Sequence, residues 1–86
     1  MDINDLIAIV KKKLKKEILI ENINIEDKSF LHKNHSSNQK GKFHLKFVID
    51  SQELKNMTKI ESNKKIYKIL NVEMEKYIHS LQILIS

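Results

Sequence analysis

The chain closes with the hydrophobic run Tyr77-Ile78-His79-Ser80-Leu81-Gln82-Ile83-Leu84-Ile85, after which only Ser86 remains. If this run is a β-strand, its side chains alternate between the two faces of a sheet. That alternation places His79 on the same face as Leu81, Ile83 and Ile85, which is the more apolar of the two. We therefore expect a core-forming strand whose apolar face begins with an imidazole. Such a histidine is either a packed, hydrogen-bonded residue or a ligand.

Two segments have the apolar spacing of amphipathic helices. The first runs from Asp2 to about Ile18, and its apolar stripe consists of Ile3, Leu6, Ile7, Val10 and Leu14. The second follows a capping box formed by Thr58 and Glu61 and continues to about Lys76, where the final strand follows directly. Its predicted buried stripe consists of Ile60, Ile66, Tyr67, Ile69, Leu70 and Met74.

Between the helices lie two further strand-like segments. Residues 23–29 begin with the alternation of a short strand, and residues 43–49 give the clearest strand pattern in the chain. The polar segment from Leu31 to Lys42 separates them and contains His32, His35 and the single glycine of the chain. The two strands should therefore form an antiparallel hairpin around this loop.

The order of these elements predicts one α/β (α+β) domain over residues 1–86. A helix, a hairpin, a short connecting turn, a second helix and a third strand give a three-stranded mixed sheet with helices packed on it. Because the third strand follows a helical crossover, it can run parallel to a neighbouring strand.

The composition points to a globular protein with a basic surface. Of the 86 residues, 41% are hydrophobic and 31% are charged, and the formal net charge is +5. The chain has no arginine, the residue that reads guanine and stacks on bases, so the positive charge is only weak evidence for a polyanionic partner. A lysine run at positions 11–13, 15 and 16 fits a solvated helix end, and a phosphate-binding patch is its alternative.

The sequence also bears on the cellular compartment. No apolar run approaches the roughly 18 residues that span a bilayer, and we expect no signal peptide at the N-terminus. Cysteine is absent, so disulfides, thiolate ligands and cysteine nucleophiles are excluded for this chain. These features lead us to expect a cytoplasmic protein.

Several short motifs, in this order and spacing, resemble the BolA family over nearly the whole chain. An Asp27-Lys28-Ser29 segment precedes the histidine-containing loop, and the following strand opens with His44-Leu45-Lys46. The second helix contains the pattern Lys65-Ile66-Tyr67 with Leu70 and Glu73. The final strand begins with Ile78-His79-Ser80-Leu81, which is similar to the signature of that family.

The resemblance implies a fold like the type II K-homology domain and a partnership with monothiol glutaredoxins. In such complexes a [2Fe-2S] cluster is shared, and the BolA-like protein contributes the signature histidine and a His or Cys from the loop. Carried over to this sequence, the metal ligands would be His79 together with His35, or with His32 as second choice. His44 is interpreted as a structural or rim residue. No cofactor is expected in the isolated protein, which would be a monomer alone or a heterodimer with glutaredoxin.

Two other functional classes compete with this interpretation. A nucleic-acid-binding transcriptional regulator would fit the charge, but one glycine cannot form a Gly-x-x-Gly loop and only 6% of residues are aromatic. DNA binding would therefore depend on lysine and on salt concentration. An enzyme is disfavoured, since the sequence has no recognisable nucleophile–base pair, phosphate loop or paired carboxylates.

Overall fold

A computed structural model describes residues 1–29 and 42–86 of the chain. These ranges contain four helices and three strands, which agrees with the predicted class and element order; the connecting turn contains a short helix, and the second predicted helix is divided in two. The elements are α1 (Ile3–Glu17), β1 (Asn22–Asp27), β2 (Phe43–Asp50), α2 (Gln52–Lys55), α3 (Lys59–Ile69), α4 (Asn71–Lys76) and β3 (Ile78–Ile85).

The sheet has β2 at its centre, with β1 on one side and β3 on the other. β1 pairs antiparallel with β2, from Asn22 opposite Asp50 to Asp27 opposite Leu45. β3 pairs parallel with β2 and ends with Ile85 opposite Ile49. Both the hairpin and the parallel third strand predicted from the sequence are therefore confirmed.

The first helix forms as its sequence dictates. The Asp2 side chain caps it by accepting a hydrogen bond from the Asn4 backbone N–H, at 2.9 Å. Leu6, Val10 and Leu14 are buried at the predicted spacing, and Lys15 and Lys16 lie in the last turn, where the helix dipole favours cations. The lysine run thus occupies the exposed end of a helix whose opposite face enters the core.

One hydrophobic core joins the sheet to the helices. The buried hydrophobic residues of β1 and β2 alternate along each strand, as expected when one sheet face is covered. They pack with buried residues of α1, α3 and the start of β3; the fully buried large side chains include Leu6, Leu14, Phe47, Ile49, Ile66, Leu70 and Ile78. The opposite sheet face carries Asn24, Lys46 and Gln82 among its polar side chains.

The predicted buried stripe of the second helix is wrong at Ile60 and Tyr67, which are 68% and 40% exposed. The residues that enter the core are Ser62, Ile66 and Leu70, spaced four apart, and Glu73. At about 100° per residue, Ile60 and Tyr67 lie on one side of the helix, turned by about 100–120° from Ile66, so their stripe points away from the sheet when Ile66 faces it. The helix is also interrupted at Leu70 (φ −98°, ψ 21°), which separates α3 from α4.

Hydrogen bonds from α2 fix the connection between α1 and β1. The Ser51 side chain caps α2 by accepting from the Leu54 N–H and donates to the Leu19 carbonyl at 2.7 Å. The Glu53 carboxylate accepts from the Leu19 N–H at 3.0 Å and pairs with Lys65 of α3 at 2.9 Å. Three segments distant in sequence therefore meet at one end of the sheet.

Because of these bonds, the free energy of unfolding should decrease as the pH becomes acidic. The pKa of Glu53 is lowered from 4.5, first by the hydrogen bond from the Leu19 N–H and then by the hydrogen bond and charge of Lys65. The pKa of Glu61 is lowered by its hydrogen bonds with Thr58. Because both folded pKa values lie below the unfolded ones, this contribution is complete above about pH 4.5 and is lost as pH falls through the folded values. Glu53→Gln should therefore flatten the dependence of unfolding free energy on pH below pH 5, as measured by urea titration. An unchanged slope in Glu53→Gln would contradict the assignment.

Candidate functional site

β3 begins with a bulge that determines where His79 lies. Phe43 of β2 is opposite Ile78, but the next residue, His44, is opposite Ser80, so His79 is an extra residue on β3. The Phe43 N–H donates to the Tyr77 carbonyl at 2.8 Å, which holds the strand before the bulge. A bulge of this kind changes the direction in which the neighbouring side chains point.

The expected alternation of β3 is consequently wrong at its first residues. Ile78 is 2% exposed and lies in the core, whereas His79 is exposed and does not share the inner face with Leu81, Ile83 and Ile85. The extra residue shifts the phase by one, so the core strand starts with isoleucine rather than imidazole. His79 is therefore not a packed core histidine.

His44 is the buried neighbour that supports this corner. It is 5% exposed although it lies on the sheet face opposite Leu45. Its backbone N–H donates to the Ser29 hydroxyl at 3.0 Å, and its carbonyl accepts from the Lys28 N–H at 2.7 Å. Its Nδ1 lies 2.6 Å from the Ser80 hydroxyl oxygen. His44 is thus held through both its backbone and its ring, as expected for a structural residue.

The His79 ring packs against the His44 ring. The ring centroids lie 4.7 Å apart with an interplanar angle of 61°, an edge-to-face arrangement. One imidazole of the pair is buried and bonded, and the other is exposed to solvent. The surface beside His44 is also lined by Lys28, Lys46 and Gln82, which makes it basic and polar.

The predicted loop ligands His35 and His32 lie outside the described residues. The residues that border their segment nevertheless converge here, since Ser29 bonds His44 and Phe43 bonds the residue before β3. Within residues 1–29 and 42–86, no three His, Asp or Glu side chains come together as a metal-binding group. The ligand set of His79 with His35 or His32 therefore stays a prediction.

The chemistry of His79 fits a shared iron–sulfur cluster. A neutral imidazole is an established ligand of iron in [2Fe-2S] centres. Its exposure on a bulge leaves the ring accessible to a metal held chiefly by another protein. Because the chain contains no cysteine, histidine or a carboxylate would have to supply its ligands.

A partly buried ion pair joins α1 to the helix before β3. The Glu73 carboxylate of α4 is 6% exposed and lies 2.6 Å from the Lys13 ammonium of α1. The sequence motif included Glu73 but assigned it no partner. The available signal was an acidic residue three positions after Leu70, in line with Ile66 and Leu70, because a carboxylate on a buried stripe needs a cation.

Comparisons with known proteins agree with this architecture. A family model described as BolA-like protein matches residues 14–86. The chain is 37% identical over 73 residues to "DNA-binding transcriptional regulator BolA" of Haemophilus influenzae, a match that covers 85% of this chain and 68% of that protein. The chain belongs to the BolA family.

Solved structures show the same fold. The BolA domain of SufE1 from Arabidopsis thaliana superposes with a TM-score of 0.77 at 24% identity, covering 92% of this chain and 87% of that one. The solution structure of BolA1 from Mus musculus gives a TM-score of 0.71 at 18% identity, covering 90% of this chain and 60% of that one. None of the helices in the described ranges has the length and hydropathy needed to cross a bilayer.

Proposed function

We propose that this BolA-like protein is a non-enzymatic adaptor that binds a monothiol glutaredoxin in the cytoplasm and shares a [2Fe-2S] cluster with it. The adaptor would act in cluster assembly, cluster transfer or iron sensing. The observation that carries the proposal is the exposed imidazole of His79, placed on a bulge and packed against the buried ring of His44. A core histidine would have no such access to a partner.

The ligands from this chain are His79 and one loop histidine, His35 first and His32 second. The segment that contains them is bordered by Ser29 and Phe43, which both contact the corner where β3 begins. The glutaredoxin would supply a cysteine thiolate and the thiolate of bound glutathione.

Histidine ligation changes what the cluster can do. Replacing two thiolates by imidazoles on one iron raises the reduction potential of a [2Fe-2S] centre. His44 restricts the ring of His79 by its edge-to-face contact, and Ser29 and Ser80 hold His44 in turn. Such supporting contacts orient metal ligands and reduce the entropy lost on binding.

Removing the imidazole should abolish the mixed-ligand spectrum. His79→Ala, mixed anaerobically with a cluster-loaded monothiol glutaredoxin, is expected to lose the visible absorption and circular dichroism bands that wild type produces. Gln82→Ala is the matched control, because Gln82 is an exposed residue of the same strand. A His79→Ala spectrum equal to that of wild type would show that this ligand assignment is wrong.

The same titration identifies the loop ligand. His35→Ala should alter the spectrum and His32→Ala should leave it unchanged if His35 is the second ligand. The reverse result assigns His32. If neither single variant alters the spectrum, the loop does not supply a ligand. Iron and sulfide analysis of the complex, copurified without oxygen, gives the cluster stoichiometry for each variant.

A DNA-binding transcriptional regulator is the second candidate. The observation in its favour is the match at 37% identity to a relative named as a DNA-binding transcriptional regulator. The excess of lysine is compatible with contacts to phosphate. Retained sequence preference in a gel-shift titration at physiological salt would support this function, and binding that disappears at that salt would oppose it.

A further inference from the structure

We infer that the groove between α1 and α3 binds the phosphodiester backbone of nucleic acid without reading its sequence. The groove is lined by Lys13, Lys16 and Glu17 of α1 and by Lys64, Lys65, Lys68 and Ile69 of α3. The inference deepens the second candidate function, since it places DNA contacts on particular residues. It is independent of the cluster ligands.

Like charges converge in this groove, which favours binding of a polyanion. Five lysines from two helices line one groove, and Glu17 is the acidic residue beside them. Lys64 and Lys68 are four positions apart on α3, a like-charge spacing that destabilises an isolated helix. A cleft lined by one sign of charge concentrates the electrostatic potential and attracts the opposite ion. A polyanion would relieve the repulsion that these lysines exert on one another.

The ion pairs divide the five lysines into two groups. Lys13 is paired with Glu73, and Lys65 is paired with Glu53. Lys16, Lys64 and Lys68 are exposed and make no ion pair with any of the described residues. These three ammonium groups are therefore the ones available to phosphates, and the two paired lysines add a weaker positive field.

The shape and lining of the groove indicate an extended ligand with several phosphates. The lysines are distributed over the two helices that flank the groove, so a ligand with several phosphates can contact lysines of both helices. Among residues 1–29 and 42–86, no aromatic side chain lines the groove, so these residues offer no surface for base stacking there. The apolar part of the lining includes the half-buried Ile69. Contacts would thus go to the backbone and carry no sequence information.

Salt dependence tests the number of contacts. If three lysines neutralise phosphates, the logarithm of the association constant for duplex DNA should fall with a slope of about −2.7 against the logarithm of salt concentration. That slope corresponds to a loss of roughly 40-fold between about 50 and 200 mM salt. The probe is a fluorescein-labelled duplex of mixed sequence, with fluorescence anisotropy as the readout.

A pair of double variants tests the place of binding. Lys64→Gln/Lys68→Gln should weaken binding at about 50 mM salt by at least about tenfold and reduce the slope by about 2. Lys55→Gln/Lys59→Gln is the matched control, because it removes the same charge from exposed positions of α2 and α3 outside the groove. Glutamine has nearly the helix propensity of lysine, and far-ultraviolet circular dichroism verifies that both variants are folded.

The possible results distinguish a failure of the groove inference from a failure of the regulator function. A loss confined to Lys64→Gln/Lys68→Gln supports the inference. Equal losses in both double variants would overturn the placement, because only net charge would matter. If wild type binds DNA and both variants bind equally well, the regulator function survives and the groove inference fails. If wild type does not bind the duplex at about 50 mM salt, the inference fails and the regulator function fails with it.

Discussion

Phe47→Ala is expected to lower the free energy of unfolding by about 3–5 kcal/mol, the usual cost of truncating a buried phenylalanine. Phe47 is fully buried in the central strand, with Ile25 opposite it on β1 and Ile83 opposite it on β3. The cavity would open where both strand pairs and the helices meet, so collapse of the surroundings would be limited. A domain of this size has a total stability of only about 5–15 kcal/mol.

The measurement is urea unfolding followed by circular dichroism, with a thermal melt in parallel. A loss of about 4 kcal/mol should lower Tm by roughly 15–30 °C in a domain of this length. Leu84→Ala is the matched control on β3, since Leu84 is 44% exposed and should cost less than about 1 kcal/mol. Equal destabilisation by the two variants would mean that β2 is not the centre of the core.

The architecture was predictable because the local patterns agree with one another. The alternation over residues 43–49, the stripe of α1 and the capping box at Thr58 each indicated an element that the structure contains. The parallel pairing of β3 followed from the helical crossover before it. These features depend on periodicity and on local hydrogen bonds, which a sequence displays directly.

It was harder to predict which face of a strand or helix an individual side chain occupies. The bulge at His79 depends on the tertiary pairing of Phe43 with Ile78, and no local signal such as glycine marks it. The exposure of Ile60 and Tyr67 depends on which side of α3 meets the sheet. Both are decided by packing between distant segments, which overrides the local pattern of apolar residues.

The candidate site was predicted in part. The sequence singled out His79 but placed it on the apolar face of β3, whereas the structure exposes the ring and packs it against His44. The interpretation of His44 as structural fits its bonds to Ser29 and Ser80. The support of one imidazole by another could not be inferred from sequence, because it arises only after the bulge brings the two rings together.

Lys13→Met is expected to destabilise the protein by about 2 kcal/mol, and Glu73→Met by much less. Lys13 and Glu73 are 40% and 6% exposed, so the carboxylate is buried while the ammonium reaches water. Removing lysine leaves a buried charge without its cation. Glu73 Oε1 already has no hydrogen-bond partner among the described residues. Exposure of Lys13 reduces the cost from the 3–5 kcal/mol typical of fully buried pairs to about 2 kcal/mol.

The double variant distinguishes a missing cation from lost packing. Lys13→Met/Glu73→Met should be within about 1 kcal/mol of wild type, since apolar replacement of a buried pair is often neutral. The cycle would then give a coupling energy of about 2 kcal/mol, measured by urea unfolding at neutral pH. Additive losses would show that the two side chains stabilise the fold independently. In that case the 2.6 Å contact between α1 and α4 would not be what holds α4 in place before β3.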